Sequence, residues 1–285
     1  MPYALLSPTI ALIAVLMLVP IVMVIAYSFM ARAVTKPDTT FVGFDNYIEV
    51  LSDGTFYQAL GQSLFFTVAS VAAHFVLGMA FALLLNSKWL NSHLATVLRA
   101  LYVLPWVFTV AVVAVLWRMI LNPSGVLNGV AELLGLMSSP VEWLADPAYA
   151  LISLTLVNIW AGYPFFMVSL LAGLQGLPHE LYEAARIDGA GPVRSFSHMT
   201  LPLLKPVITS LMLLDFIWTS QQFPLIWLMT GGGPGQATVV APIYVYKLAF
   251  SEYEFAIASA AAVVVLLLSL ILAVFYVRHQ RKEDH

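Results

Sequence analysis

An all-α integral membrane fold, with six transmembrane helices and one polar helix-turn-helix loop, is predicted by three observations. Of 285 residues 61% are apolar and only 9% charged, with a mean hydropathy of +0.91, against about 25% charged residues in a soluble domain. Several uncharged stretches reach the roughly 20 residues needed to cross a bilayer core of about 30 Å. A single polar island, Pro178 to Pro206, separates two of the long apolar segments. One membrane domain over 1–285 accounts for the chain.

The expected spans follow in order. Tyr3 to Ala31 carries no charge and includes Pro8 and Pro20, which a membrane helix tolerates when neighbouring groups satisfy the freed carbonyls. Ala31-Arg32-Ala33 resembles a signal-peptide cleavage site, but the apolar run is too long for a signal h-region and no basic residue precedes it. Arg32 to Gln58 is polar, with Lys36-Pro37-Asp38 as a turn and FVGFDNYIEVL as a short ordered piece. Ala59 to Leu85 is the second span, closed by Asn86-Ser87-Lys88, and a short loop leads to Arg99. Leu101 to Trp117 is a short third span bounded by Arg99 and Arg118. Val126 to Leu136 is too short to cross and reads as an interfacial helix. Tyr149 to Leu174 is the fourth span, and Leu203 to Met229, beyond the island, the fifth. A glycine-rich loop leads to the sixth, Phe255 to Val277, and to the charged tail Arg278 to His285.

Six spans make the loops alternate sides. One set holds Lys88, Arg99, Arg186, Arg194, Lys205, Arg278, Arg281 and Lys282; the other holds only Arg32, Lys36, Arg118 and Lys247. The positive-inside rule therefore places the island and the C-terminus in the cytoplasm. The first span alone disagrees, since both basic residues near it fall on the outer side.

Several functions are excluded by composition. A net charge of −3 and no densely basic window argue against nucleic-acid binding. The absence of cysteine removes disulfides, thiolate metal sites and cysteine nucleophiles. The six histidines form no metal-ligand spacing. No phosphate-binding loop occurs either, because Gly231 to Gly235 lacks the lysine and following hydroxyl residue that such a loop requires.

Within the island, Pro178 suits a first helical position and Gly189 a place just past the end, predicting a helix of about eleven residues. Gly189, Gly191 and Pro192 supply a turn, and a second short helix runs toward Leu201-Pro202. Glu180 and Glu183 lie near Arg186, so an exposed ion pair is available on an adjoining face. An ordinary loop with helical turns satisfies the same pattern.

Glu183-Ala184-Ala185, Gly189 and Met199-Thr200-Leu201-Pro202 resemble the EAA motif of ATP-binding-cassette (ABC) importer permeases, E-A-A-x3-G-x9-I-x-L-P, with methionine in place of isoleucine. The opening LLSPTIALIAVLMLVPIVMVIAYSF, the FVGFDNY segment, LPHELYEAARIDGAGP and TGGGP are similar to the carbohydrate branch of these permeases. Thr230 to Pro234 is more typical of the first of two paired subunits, the one similar to the larger maltose permease subunit. The resemblance implies a type I importer fold and a non-enzymatic inner-membrane subunit of a bacterial cell. It implies three kinds of partner: a second permease making a heterodimer, two copies of an ATP-binding subunit carrying the ATP and Mg, and an extracytoplasmic solute-binding protein. It also implies that the loop over 178–202 docks in a cleft of the ATPase. Glu183 would make the charged contact, Ala184 and Ala185 would pack closely in that cleft, and Arg186 would belong to the same coupling surface. Gly189 would make the turn, and Leu201 and Pro202 would close the motif.

A second constellation lies in the fifth span, where Asp215 shares a helical face with Leu211, Met212, Trp218, Thr219 and Gln222. A mid-membrane aspartate costs about 2.5–3.5 kcal/mol to insert and must face protein or water. A carboxylate, a hydroxyl, an amide and an indole together suit a sugar. Asp215 and Gln222 alternatively only hydrogen-bond neighbouring helices. His74, inside the second span, is read as a neutral histidine bonded to another helix. An alternative function, a proton-coupled secondary carrier, would use Asp215 and His74 together. Asn158, Trp160 and Tyr163 share this ambiguity, and Gly162 and Pro164 mark an expected kink. An intramembrane enzyme is disfavoured, since no nucleophile and base pair is identifiable.

Overall fold

The computed structural model describes residues 2–31, 33–34, 39–87, 90–137 and 139–283. The turn expected at Lys36-Pro37-Asp38, together with Arg32 and Lys88 of the charge count, lies outside those residues. The described chain is helical apart from one short hairpin. Its elements are α1 (Pro2–Tyr27), β1 (Met30–Ala31), β2 (Thr40–Phe41), α2 (Asp45–Ser52), α3 (Gly54–Leu85), α4 (Ser92–Val107), α5 (Val110–Ile120) and α6 (Val126–Leu133), followed by α7 (Pro147–Gln175), α8 (His179–Ile187), α9 (Pro192–Ser195), α10 (Leu201–Ser220), α11 (Pro224–Thr230), α12 (Ala241–Phe250) and α13 (Phe255–Glu283). Among the described residues five helices are long and apolar enough to cross a membrane, and a sixth span forms if the bent pair α4 and α5 counts as one.

Three expectations need correction. The third span, placed at Leu101 to Trp117, is not one helix. It starts at Ser92, capped by the Asn91 side chain accepting from the Leu94 amide, and turns by 96° between α4 and α5. The turn falls at Phe108 and Thr109, whose extended backbones interrupt the helical ladder, while Pro105 stays inside α4. The fifth span, placed at Leu203 to Met229, is likewise broken. The helical backbone of α9 runs through a π-helical turn at Phe196–Thr200 into α10 and ends at Ser220, and Pro224 then starts α11. The second short helix expected in the island is therefore the leading end of a 29-residue span. The fourth span, Tyr149 to Leu174, falls within α7, which Asp146 caps by accepting from the Ala148 amide.

The chain forms two compact units. The first comprises Met1–Gly61 and Val239–Val274. In it β1 and β2 pair antiparallel, Met30 opposite Phe41 and Ala31 opposite Thr40. The Asn46 amide in α2 donates to the Ser28 and Met30 carbonyls, which ties the hairpin to the helix. Asp53, at the start of α3, accepts from the Tyr244 hydroxyl of α12 at 2.7 Å and from the Thr55 amide at 2.8 Å. Partial burial pushes the Asp53 carboxyl up, but the bonds from Tyr244 and Thr55 outweigh it and hold the group below its ordinary value. Burial pushes the Tyr244 hydroxyl up, and its bond to Asp53 adds to that shift.

The second unit comprises Gln62–Thr238 and Phe275–His285. Its apolar core joins α3, α7 and α10 through residues such as Met79, Ala82, Phe166, Leu170, Leu204 and Ile208. Gly78 lets α3 approach α7 closely, since a β-carbon there would meet the Met167 amide nitrogen at 2.9 Å. The eight residues of α6 are too few to cross a bilayer. Asn128 anchors that helix, donating to the Val141 carbonyl and accepting from the Trp143 indole.

The stabilisation from Asp53 is present above the unfolded carboxyl pKa of about 3.9 and is lost as pH falls through the lower folded value. Tyr244→Phe is expected to lower stability by about 1 kcal/mol near neutral pH, a modest figure because Asp53 is only partly buried. Thermal unfolding in detergent should show the gap between variant and parent narrowing below pH 4.

Candidate functional site

The core shared by α3, α7 and α10 changes from apolar to polar at one level. His74 on α3, Asn158 on α7 and Asp215 on α10 are all buried there. Because α10 runs antiparallel to α3, the layer lies N-terminal to Met79 in one helix and C-terminal to Leu211 in the other. His74 Nδ1 lies 2.7 Å from Asp215 Oδ2, and His74 Nε2 lies 3.1 Å from the Asn158 carbonyl oxygen. Thr219, one turn along α10, donates to Asp215 Oδ1 at 3.2 Å. The reading of His74 as bonded to another helix holds, and it meets two helices at once.

Gly162 makes room for this ring. A β-carbon at that position would collide with Nε2 and Cε1 of His74. The glycine, expected to mark a kink, lies within the unbroken helix α7 and lets imidazole reach the backbone of that helix.

Beside the layer opens a cavity of about 280 Å³. Of the six residues expected on the Asp215 face, Asp215, Trp218, Thr219 and Gln222 line it, together with His74 and Asn158, whereas Leu211 and Met212 belong to the apolar core. Gln222 lies just beyond the end of α10, in the break before α11, and its amide donates to Asn158 Oδ1 over 3.4 Å. Asn158 Nδ2 is buried and has no partner among the described residues. The other wall is aromatic. Trp106 and Phe108 come from the bend between α4 and α5, and Phe165 packs its ring 5.5 Å from that of Trp218. Both interrupted helices therefore meet the cavity, where irregular backbone is tolerated inside an apolar bundle. Trp106, Phe108 and Phe165 were not singled out in the sequence, because nothing local marks a bend at Phe108-Thr109.

The island forms a separate surface. Helix α8 starts at His179, with Pro178 as its cap rather than its first residue, and ends in a Schellman turn. Gly189 has φ +75°, its amide donates to the Arg186 carbonyl, and the Ala190 amide donates to the Ala185 carbonyl. Glu183, Ala184 and Arg186 are exposed, Ala185 is buried, and the expected ion pair between Glu183 and Arg186 does not form. Leu201 and Pro202 lie in the first turn of α10. The Tyr182 hydroxyl meets Thr200 Oγ1 at 3.0 Å, bridging α8 to the π-helical turn.

In the second unit, broken and continuous spans line a polar cavity, with a capped helical elbow between two of them, an arrangement suited to a transport subunit. Residues 74–285 match the family described as binding-protein-dependent transport system inner membrane component, and the chain belongs to that family. The trehalose/maltose transport system permease protein MalF of Thermococcus litoralis is 36% identical over 252 residues, 88% of this chain and 82% of its own. The diacetylchitobiose uptake system permease protein DasB of Streptomyces coelicolor is 32% identical, over 99% of this chain and 87% of its own. A crystal structure of a bacterial ABC transporter involved in import of the acidic polysaccharide alginate superposes with a TM-score of 0.85 at 25% identity, over 98% of this chain and 94% of that one. The chain is thus a multi-pass inner-membrane permease component of an ABC system, not its ATP-hydrolysing component. The proton-coupled carrier alternative finds no support in these relatives.

Gly162→Ala should push the His74 ring away from α7 and lower stability by about 1–3 kcal/mol, as overpacking does. Thermal unfolding of the purified protein measures the loss.

Proposed function

We propose that this chain forms part of the translocation pathway of an ATP-driven importer for a sugar or polyol, and that its elbow receives the ATPase. The observation that carries the pathway half is the cavity, whose lining combines the amides of Asn158 and Gln222 with the rings of Trp106, Phe108, Phe165 and Trp218. Hydroxyls suit the amides, and the C–H face of a sugar ring suits Trp218 or Phe165. The unpartnered Asn158 Nδ2 is a donor that a ligand hydroxyl satisfies. The relatives' names, which specify trehalose, maltose and diacetylchitobiose transport, support the substrate class.

The coupling half rests on Glu183, Ala184, Ala185, Gly189, Arg186, Leu201 and Pro202. The exposed carboxylate of Glu183 beside the exposed, small Ala184 offers a partner one charged contact and close backbone approach. On this reading the elbow and the C-terminus are cytoplasmic. A second permease completes the pathway as a heterodimer, two ATP-binding subunits carry ATP and Mg, and a solute-binding protein delivers substrate from outside. This chain binds no cofactor of its own.

Proline fixes φ near −65° and has no amide proton, so Gly189→Pro cannot keep the turn at φ +75°. Gly189→Pro and Glu183→Ala are expected to reach the membrane at normal levels yet abolish uptake while the ATPase still hydrolyses. Wild-type uptake by Gly189→Pro would refute the coupling assignment. Gln222→Ala is expected to raise the apparent KM for transport about tenfold, the loss of roughly 1.4 kcal/mol of ligand contact. An unchanged KM and rate would remove Gln222 from the pathway.

A further inference from the structure

The carbonyl of Asn158 can only accept a hydrogen bond, so His74 Nε2, 3.1 Å away, carries a hydrogen and donates it. The other ring nitrogen faces Asp215 Oδ2 at 2.7 Å. One proton lies in that contact, and whichever atom holds it, the formal charges of the two side chains sum to zero. The distance fits a charge-assisted bond. The remaining carboxylate oxygen accepts from Thr219, so neither oxygen of Asp215 is left without a donor. His74 and Asp215 are the only ionisable groups lining the cavity among the described residues, and no lysine or arginine joins them. Everything else polar among its lining side chains is an amide, a hydroxyl or an indole N–H.

We propose that the cavity accepts an uncharged sugar or polyol and disfavours anionic ones, and that His74 is the positioning residue that sets this selectivity by holding Asp215 in a closed, net-neutral pair. The inference rests on the pathway reading above and narrows it. A uronate, sulfonate or phosphate group entering this cavity would lose its water and find no free cation, because the one imidazole is already committed to Asp215. Charge in such a setting is costly unless paired. The alginate importer carries an acidic polysaccharide, so a permease of this fold is not barred from anionic cargo in general.

Removing one partner leaves the other charged and alone, whereas removing both restores neutrality. His74→Asn is therefore expected to raise the apparent KM for a neutral sugar by about tenfold or more, and His74→Asn combined with Asp215→Asn to bring it back to within about threefold of the parent, the non-additivity of a directly coupled pair. If His74 were only a packing element, the double variant would be no better than the single one.

The test uses the complete transporter in proteoliposomes, with both permeases, the ATPase and the binding protein held constant. Ligand-stimulated ATP hydrolysis and uptake are measured first with neutral probes (maltose, trehalose, diacetylchitobiose, glycerol) and anionic ones (alginate oligosaccharide, glucose 6-phosphate, glycerol 3-phosphate). Stimulation by a neutral probe, with rescue in the double variant, is the expected result. Stimulation confined to an anionic probe overturns the inference while leaving the carbohydrate pathway standing. A double variant no better than His74→Asn, or a His74→Asn variant indistinguishable from the parent, also overturns it. Stimulation by none of the probes counts against the carbohydrate reading itself, and the inference falls with it.

Discussion

A carboxylate inside an apolar helix bundle needs a partner, and the bond between His74 and Asp215 meets that requirement here. Its surroundings follow from it. The imidazole must reach from α3 to α10, so the backbone of α7 has to come close, and Gly162 is the residue that permits this. The far ring nitrogen must find an acceptor, and the Asn158 carbonyl supplies it. The second carboxylate oxygen is served by Thr219 from the same helix. Three helices are thereby registered against one another at a polar layer, above an apolar core that has no directional preference of its own.

Two helices fail to run straight where they meet this layer. The bend at Phe108-Thr109 and the break at Gln221 to Phe223 would expose unpaired backbone groups if they faced lipid. Set beside a cavity, they cost less and let aromatic and amide side chains converge from directions that an intact helix would not allow. The same logic explains why the long apolar faces of α1 and α13, which line no polar cavity, show no comparable break among the described residues. Irregularity is confined to the helices that build the site.

Much of this was legible in the sequence, for identifiable reasons. Apolar length located α1, α3, α7 and α13, and glycine and proline at Gly189 and Pro192 located the elbow turn. The i, i+4, i+7 spacing put Asp215, Thr219 and Gln222 on one side of the fifth span, and all three line the cavity. The bend between α4 and α5 was not legible. Its two extended residues are phenylalanine and threonine, neither a helix breaker in isolation, while Pro105 stays within the helix. The break before α11 did have a signal, Pro224, which lacks an amide hydrogen and suits the first turn of a helix better than its interior. The partnership of His74 with Asp215 joins residues 141 positions apart, and no local pattern reports such a contact.

The continuity from Pro192 to Ser220 has a mechanical consequence. A helix of 29 residues, rising about 1.5 Å per residue, is a rod of roughly 43 Å. One end of it begins at the elbow turn, and Asp215 sits near the other. Helices are stiff along their axis, so a push or a twist at Gly191 would arrive at Asp215 with little attenuation. One irregular place along the rod is the π-helical turn at Phe196–Thr200, where the regular i→i−4 ladder is interrupted. That turn is itself clamped to α8 through Tyr182 and Thr200. The π-helical turn therefore puts slack at the elbow end of the rod, so that a displacement of α10 would reach the polar layer as shear across the bonds to α3 and α7.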